Sequence, residues 1–374
     1  MVPLEQARAA GGVMFTKRAT LCQMAAALVA AASKPALAQH GPNITDVGAS
    51  LRVLAAQRHL IYGCAANTVQ LKDSDFAAVL ARESGMLAAE YEMKRRFIEN
   101  APGQYDFGAG DALLEFAAAH GMAFRGHTLV WHRNNPAWLE SAVTDSRDTK
   151  LLTSYIEAVA GHYKRKLHSW DVVNEAIAPE DGRADGLRNS FWLKAFGPSY
   201  IDLTFRAARQ ADPNALLVYN DQGCEAGGPE NDHFRVAVLK FLEQALARRV
   251  PIDALGLQGH LRAYGAQVDQ KKLHAFLDDV KSLGLRILVT EHDVSDEGGP
   301  WDVRARDRAV ADTSRRFLDV VLANSATIGV LTWGLSDRYL AGGFFGSKPR
   351  ALPLDVELRR KPMWQAIAGA FAGK

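Results

Sequence analysis

Residues 169–175 read Ser169-Trp170-Asp171-Val172-Val173-Asn174-Glu175, a stretch of strand length that is β-branched and apolar at its centre and ends in an amide and a carboxylate. The same pattern recurs along the chain. Short apolar runs read as strands at 60–66, 86–91, 123–131, 169–174, 215–220, 254–260, 286–291 and 329–334. Between them lie longer segments of helical period at 111–120, 150–163, 192–211, 231–247, 270–283 and 304–323. Gly121, Pro213 and Gly284 stand where helices should end, each just before the next apolar run. Eight strands alternating with helices imply an α/β fold, a parallel sheet closed into a single (β/α)8 TIM barrel. A doubly wound open sheet is the structural alternative, but no G-x-G-x-x-G follows the first strand.

Composition narrows the function. The chain has 374 residues, 48% hydrophobic, 23% charged and 9% aromatic, which excludes disordered, collagen-like and disulfide-framework classes. Lys and Arg number 44 against 42 Asp and Glu, a net charge of +2, so no electrostatic footprint for nucleic acid is present. Cys22, Cys64 and Cys224 lack zinc-site spacing. Cys64 and Cys224 fall on well-separated strands and are expected as free buried thiols.

The first forty residues do not read as fold. Lys17 and Arg18 precede an alanine-rich apolar run over 25–32, followed by Ala36-Leu37-Ala38. A basic stretch, a short apolar core and an A-x-A ending describe a secretory signal peptide over 1–38, with Met14 a more natural start. The stretch 17–21 loosely resembles a twin-arginine signal with Lys for one Arg. The apolar run is too short to span a bilayer. The protein is expected to be exported, periplasmic or extracellular, with one catalytic barrel over 45–374 and a monomeric state.

In such a barrel the C-terminal strand ends carry the chemistry. Here they close in Gly126-His127-Thr128-Leu129-Val130-Trp131-His132, Asn174-Glu175, Tyr219-Asn220-Asp221, Gln258-Gly259-His260, Thr290-Glu291-His292-Asp293 and Thr332-Trp333-Gly334. A lone His or Trp at a strand end is more often core than ligand. Six converging ends reverse that weighting, because burying so many polar groups idly would be destabilising. Glu175 and Glu291 end strands four and seven and point into one mouth. Glycosidic hydrolysis needs such a pair, one carboxyl to protonate the leaving oxygen and one carboxylate to attack or activate water. Trp131 and Trp333 suit stacking on pyranose faces, while Asn174, Gln258 and the histidines suit hydroxyls. Metal-assisted hydrolysis would use His127, His132, His260 and His292, but no H-x-H or H-E-x-x-H spacing is present, and neither metal nor cofactor is expected.

These motifs resemble glycoside hydrolase family 10, the retaining endo-1,4-β-xylanases. The resemblance rests on Arg125–His132, on Trp170-Asp171-Val172-Val173-Asn174-Glu175-Ala176, and on Gly256-Leu257-Gln258-Gly259-His260-Leu261. It extends to Thr290-Glu291-His292-Asp293 and Thr332-Trp333-Gly334-Leu335-Ser336-Asp337, in the family's order from about Leu60 to Trp364. The resemblance implies Glu175 as general acid/base, Glu291 as nucleophile and Asn174 on the sugar 2-hydroxyl. It further implies His260 hydrogen-bonded to the nucleophile with Gln258 beside it, and Glu90 and Lys94 gripping the next sugar outward. The implied partner is xylan or a related hemicellulose.

This chain also departs from the family pattern. Tyr91 replaces the Asn of E-N-x-M-K, and Arg95 the Trp that follows it. His292 replaces the Leu of T-E-L-D, Gln222 the Tyr of N-D-Y, and Ala341 the second tryptophan after Trp333. The segment Gly342-Gly343-Phe344-Phe345-Gly346 is read as a source of a replacement aromatic. Three readings stay open on sequence: a xylanase, a retaining glycosidase for a different or decorated β-linked polymer, and a carbohydrate-binding barrel without turnover.

Overall fold

The computed structural model describes residues 48–342 and 348–373. The expected leader over 1–38, Cys22 and the aromatic segment at 343–346 lie outside the described residues. Eight parallel strands form the barrel: β1 Ile61–Ala66, β2 Met86–Ala89, β3 Ala123–Val130, β4 Ser169–Asn174, β5 Leu216–Asp221, β6 Ala254–Leu257, β7 Arg286–Ser295 and β8 Thr327–Thr332. Each pairs with the next, and β8 returns to β1 in the register Ile61↔Gly329 through Cys64↔Thr332, which closes the sheet. Strands β2, β4, β5 and β6 are buried along their whole length. A parallel sheet covered by helices on its outer face demands that, and it explains why these segments read as unbroken apolar runs.

Several expected elements differ, among them β7, expected to end at Glu291, which continues to Ser295. The run at 254–260 stops at Leu257 and resumes as His260–Arg262 beside β7, in the register Asp293↔His260. Gly259 makes the break, with a φ of +77° that other residues avoid. The helix expected over 192–211 is two, Phe191–Phe196 and Ser199–Ala211. Gly197 stands between them at φ +66°, and Pro198 after it has no N–H with which to continue the first helix. Strand β2 ends at Ala89, so Glu90 and Tyr91 belong to the loop that follows it.

Short helices absent from the periodicity reading occur at Leu51–Ala56, Ser74–Glu83, Leu139–Ser146 and Pro362–Ala372. The first two are capped by the Ser50 and Asp73 side chains. Beneath the barrel, buried Glu83 ties the beginning and the end of the described barrel together. It accepts from the Leu51 N–H at 3.0 Å, the Trp364 indole at 3.1 Å and the Arg360 guanidinium at 2.9 Å. Cys64 and Cys224 are buried free thiols. Among the described residues no helix is long and apolar enough to cross a membrane.

Candidate active site

Strand β4 delivers its last residue, Asn174, to the barrel mouth, and the chain then turns sharply at Glu175, whose φ is +55°. A non-glycine residue there is strained and must be held by its surroundings. The Glu175 N–H donates to the Asn220 carbonyl at 2.9 Å, and Arg188 Nε donates to the Glu175 carbonyl at 2.8 Å. Fixed in this way, its carboxylate accepts from the Trp131 indole at 2.9 Å and from Gln258 Nε2 at 3.1 Å. His132 Nδ1 lies 4.0 Å away. Burial, followed by the charge of Arg188, pushes that imidazole down to about 4, so it is neutral near pH 7.

Glu291 lies on β7 among donors from three other strand ends. Its Oε1 accepts from Asn220 Nδ2 at 2.8 Å, its Oε2 from His260 Nε2 at 3.2 Å, and His127 Nδ1 lies 3.8 Å off. Burial alone would raise the Glu291 pKa, but His127, His260 and Asn220 outweigh it and bring the carboxyl down to about 2. His260 holds Asp293 with its other nitrogen at 3.0 Å. Burial opposes a charge on this ring, yet Asp293 and Glu291 outweigh it and hold His260 well above the ordinary imidazole range. His127 is oriented by Asp171 at 2.9 Å, and Asp171 is paired in turn with the buried guanidinium of Arg125.

The two carboxylates belong to one network. Thr290 Oγ1 donates to Asn220 Oδ1 at 2.6 Å, which leaves the Asn220 amide N–H groups for Glu291 and, at 2.9 Å, for Asn174 Oδ1. Gln258 Nε2 reaches the same Asn174 oxygen at 3.4 Å and so returns to Glu175. Room for the Asn220 amide exists because residue 256 is glycine, where an added Cβ would fall 2.3 Å from Asn220 Oδ1.

An aromatic rim flanks this network. Trp333 meets His127 edge-on at 5.1 Å. The buried Lys94 ammonium stands 5.4 Å from the Trp131 ring centre and 5.5 Å from that of Trp333. Burial lowers the Lys94 pKa against the pull of Glu291, Glu90 and Glu175. Glu90 joins the rest through these charges, while its carboxylate is hydrogen-bonded to Asn67 at 2.8 Å and Gln70 at 3.3 Å.

The expected residues Glu90, Lys94, His127, Trp131, Asn174, Glu175, Gln258, His260, Glu291 and Trp333 therefore share one mouth. Trp131, expected as a stacking surface, donates directly to Glu175. His292 goes the other way. Its ring is buried behind the strand, with Nδ1 2.8 Å from the Gly259 carbonyl and Nε2 2.8 Å from Ser314 Oγ on the helix Val303–Ala323. Burial pushes it down to about 4, and this departure from the family pattern leaves the face of Glu291 untouched.

The sequence reading placed Asn220 among the polar strand ends and Arg125 and Asp171 within the motifs without giving them roles, and passed over Glu225. Asn220 carried a signal, since it ends a strand as Asn174 does. Glu225 did not: it is a loop residue whose buried carboxylate accepts from the Gly223 N–H at 2.8 Å and the Gly259 N–H at 2.9 Å. Among the described residues, His127, Asp171 and Glu291 alone offer donor atoms within 4.8 Å of one another as a metal trio. Both Asp171 oxygens already serve Arg125 and His127, and both Glu291 oxygens serve Asn220 and His260. The arrangement is that of two carboxylates held in one hydrogen-bonded cleft.

Known proteins resemble this chain along most of its length. The chain is 32% identical over 324 residues to endo-1,4-beta-xylanase B of Thermotoga neapolitana, covering 85% of this chain and 90% of that protein. It is also 32% identical to endo-1,4-beta-xylanase 5 of Pyricularia oryzae, covering 96% of this chain and 87% of that protein. Native xylanase 10B of Thermotoga maritima superposes with a TM-score of 0.77 at 30% identity, over 87% of this chain and 98% of that one. The Thermotoga petrophila xylanase 10B solved with xylobiose gives the same TM-score of 0.77. The pattern of glycosyl hydrolase family 10 runs through residues 50–370, nearly the whole described barrel, and the chain belongs to that family.

Proposed function

We propose that this protein is an endo-1,4-β-xylanase that cleaves internal xylosidic bonds with retention, Glu291 acting as nucleophile and Glu175 as acid/base. The observation that carries the reading is the contrast between the two carboxylates. Glu291, brought down to about 2, is ionised at any working pH and available to attack the anomeric carbon. Glu175, which accepts from the neutral N–H groups of Trp131 and Gln258, is the carboxyl assigned to the departing oxygen. In the first step the Glu291 oxygen bonds the anomeric carbon as the glycosidic C–O bond breaks, and the leaving oxygen takes the Glu175 proton. In the second, Glu175 removes a proton from water, which displaces Glu291 on the opposite face and restores the original configuration. Asn174, beside Glu175, is suited to a 2-hydroxyl contact that strengthens as the oxocarbenium develops.

Replacing Glu291 with Ala should leave less than about a thousandth of the wild-type rate on xylan. NMR of the first product formed by the wild type should show the β-anomer; an α-anomer would remove the double-displacement reading. The export reading rests on Lys17-Arg18, the apolar run and Ala36-Leu37-Ala38. N-terminal sequencing of secreted protein should begin at residue 39.

A further inference from the structure

Between Glu90 and the helix Arg95–Ile98, the loop after β2 leaves two aromatic rings uncovered. Tyr91 is 44% exposed and Phe97 46% exposed, their centroids 6.1 Å apart and their planes tilted by 49°. Exposed aromatics on a loop commonly mean nothing, but here the backbone beneath them is locked. Buried Glu92 accepts from the Thr68 N–H at 2.7 Å, the Thr68 hydroxyl at 2.9 Å and the Tyr91 N–H at 3.3 Å. The helix that carries Phe97 is fastened to the neighbouring strand-end loop, with Arg96 N–H donating to the Asn134 carbonyl at 2.9 Å. The pair is therefore a preset surface.

The surface is continuous with the site. Lys94 Nζ stands 5.2 Å from the Tyr91 ring centre, as close as it stands to Trp131 and Trp333, so Tyr91 completes the aromatic enclosure of that ammonium. The Glu90 carboxylate near the Tyr91 hydroxyl helps push that hydroxyl up to about 12. One side of the Tyr91 ring thus meets the two charged groups assigned to the second glycone sugar, and the Phe97 ring lies 6.1 Å from it. A small polar side chain at residue 91 would give a hydrogen bond at this point and no stacking face. An aromatic pair gives the reverse, an apolar platform matched to the C–H face of a pyranose.

We propose that Tyr91 and Phe97 form a stacking platform for a third glycone sugar, so that this protein selects xylan segments with at least three xylose units on the non-reducing side of the cleaved bond. This rests on the xylanase reading and adds residues that set its chain-length preference. The test compares kcat/KM on aryl β-xylobioside and aryl β-xylotrioside, which differ only in the third sugar. Wild type should favour the trioside by about tenfold, the discrimination that one good stacking contact supplies. Phe97→Ala and Tyr91→Ala should each bring that ratio below about threefold, whereas Tyr91→Phe, which keeps the ring, should preserve it. Thermal melts identical to wild type exclude a folding cause, as expected for exposed rings. A trioside-to-bioside ratio unchanged in both alanine variants would overturn the platform, and so would equal losses on the two substrates. Wild type that turns over neither glycoside would overturn the xylanase reading itself, a result distinct from turnover with an unaltered ratio.

Discussion

Glu291 is anionic because N–H donors converge on it from strands that are distant in sequence. Its ordinary value is near 4.5, and in the fold it lies near 2. A depressed carboxyl stabilises the folded state above its ordinary value, and that contribution is lost as the pH falls through the folded one. The same sign governs catalysis, since the nucleophile remains charged down to about pH 2. Replacing His260 with Asn removes the charged donor 3.2 Å from Oε2. The acid limb of the kcat/KM profile should then move to higher pH by on the order of one unit, while a profile identical to wild type would deny His260 this role. Much of this scale was legible in the sequence. Glu175, Glu291, Asn174 and His260 each end an apolar run, a place where a polar side chain must point into the mouth. Asp171 and Arg125 were not, because an acid and a guanidinium inside strands declare their pairing only when β3 and β4 lie side by side.

Between strands and helices, loops decide how accurately the site is held. Glu225, in the loop after β5, reaches across to the N–H of Gly259, the residue between Gln258 and His260. Those two side chains touch the two catalytic carboxylates, so one buried carboxylate fixes the backbone from which both are presented. Glu225→Ala strands two buried N–H groups and should destabilise the protein by about 2–4 kcal/mol in urea melts. It should also lower kcat and shift the acid limb of the pH profile, an effect that a purely structural residue would not have; Glu225→Gln, which keeps an acceptor, should recover part of both. Element boundaries were legible where glycine or proline marks them, as at Gly121, Pro213 and Gly284. The break at Gly259 was missed because the apolar pattern runs on through it, and the pause at Gly197-Pro198 because the flanking segments share one helical period.

At the scale of the molecule, the barrel separates chemistry from cohesion. The strand ends hold the cleft, and the opposite face holds Glu83, which joins Leu51, Trp364 and Arg360. Glu83→Ala leaves the guanidinium groups of Arg82 and Arg360 and two N–H groups without this partner and should cost about 3–5 kcal/mol, a fall in Tm of roughly 5–10 °C. Activity well below the melt should stay within about twofold of wild type, because no catalytic side chain shares a partner with Glu83. An equal loss of rate at low temperature would mean the two faces are coupled. The closed sheet was foreseeable from its alternating elements, whereas this tie was not, since it unites residues about 280 positions apart.

That tie has a topological consequence. Arg58 donates to the Ala370 carbonyl at 3.1 Å and Arg360 to the Ala49 carbonyl at 3.3 Å, so the segments around the helices Leu51–Ala56 and Pro362–Ala372 are stitched along one seam. A peptide joining residue 373 to residue 48 would run back along that seam, because Ala49 lies beside Arg360 and Ala370 beside Arg58. The ring so formed admits new ends at an exposed outer loop, which makes the barrel a natural subject for circular permutation with its cleft undisturbed.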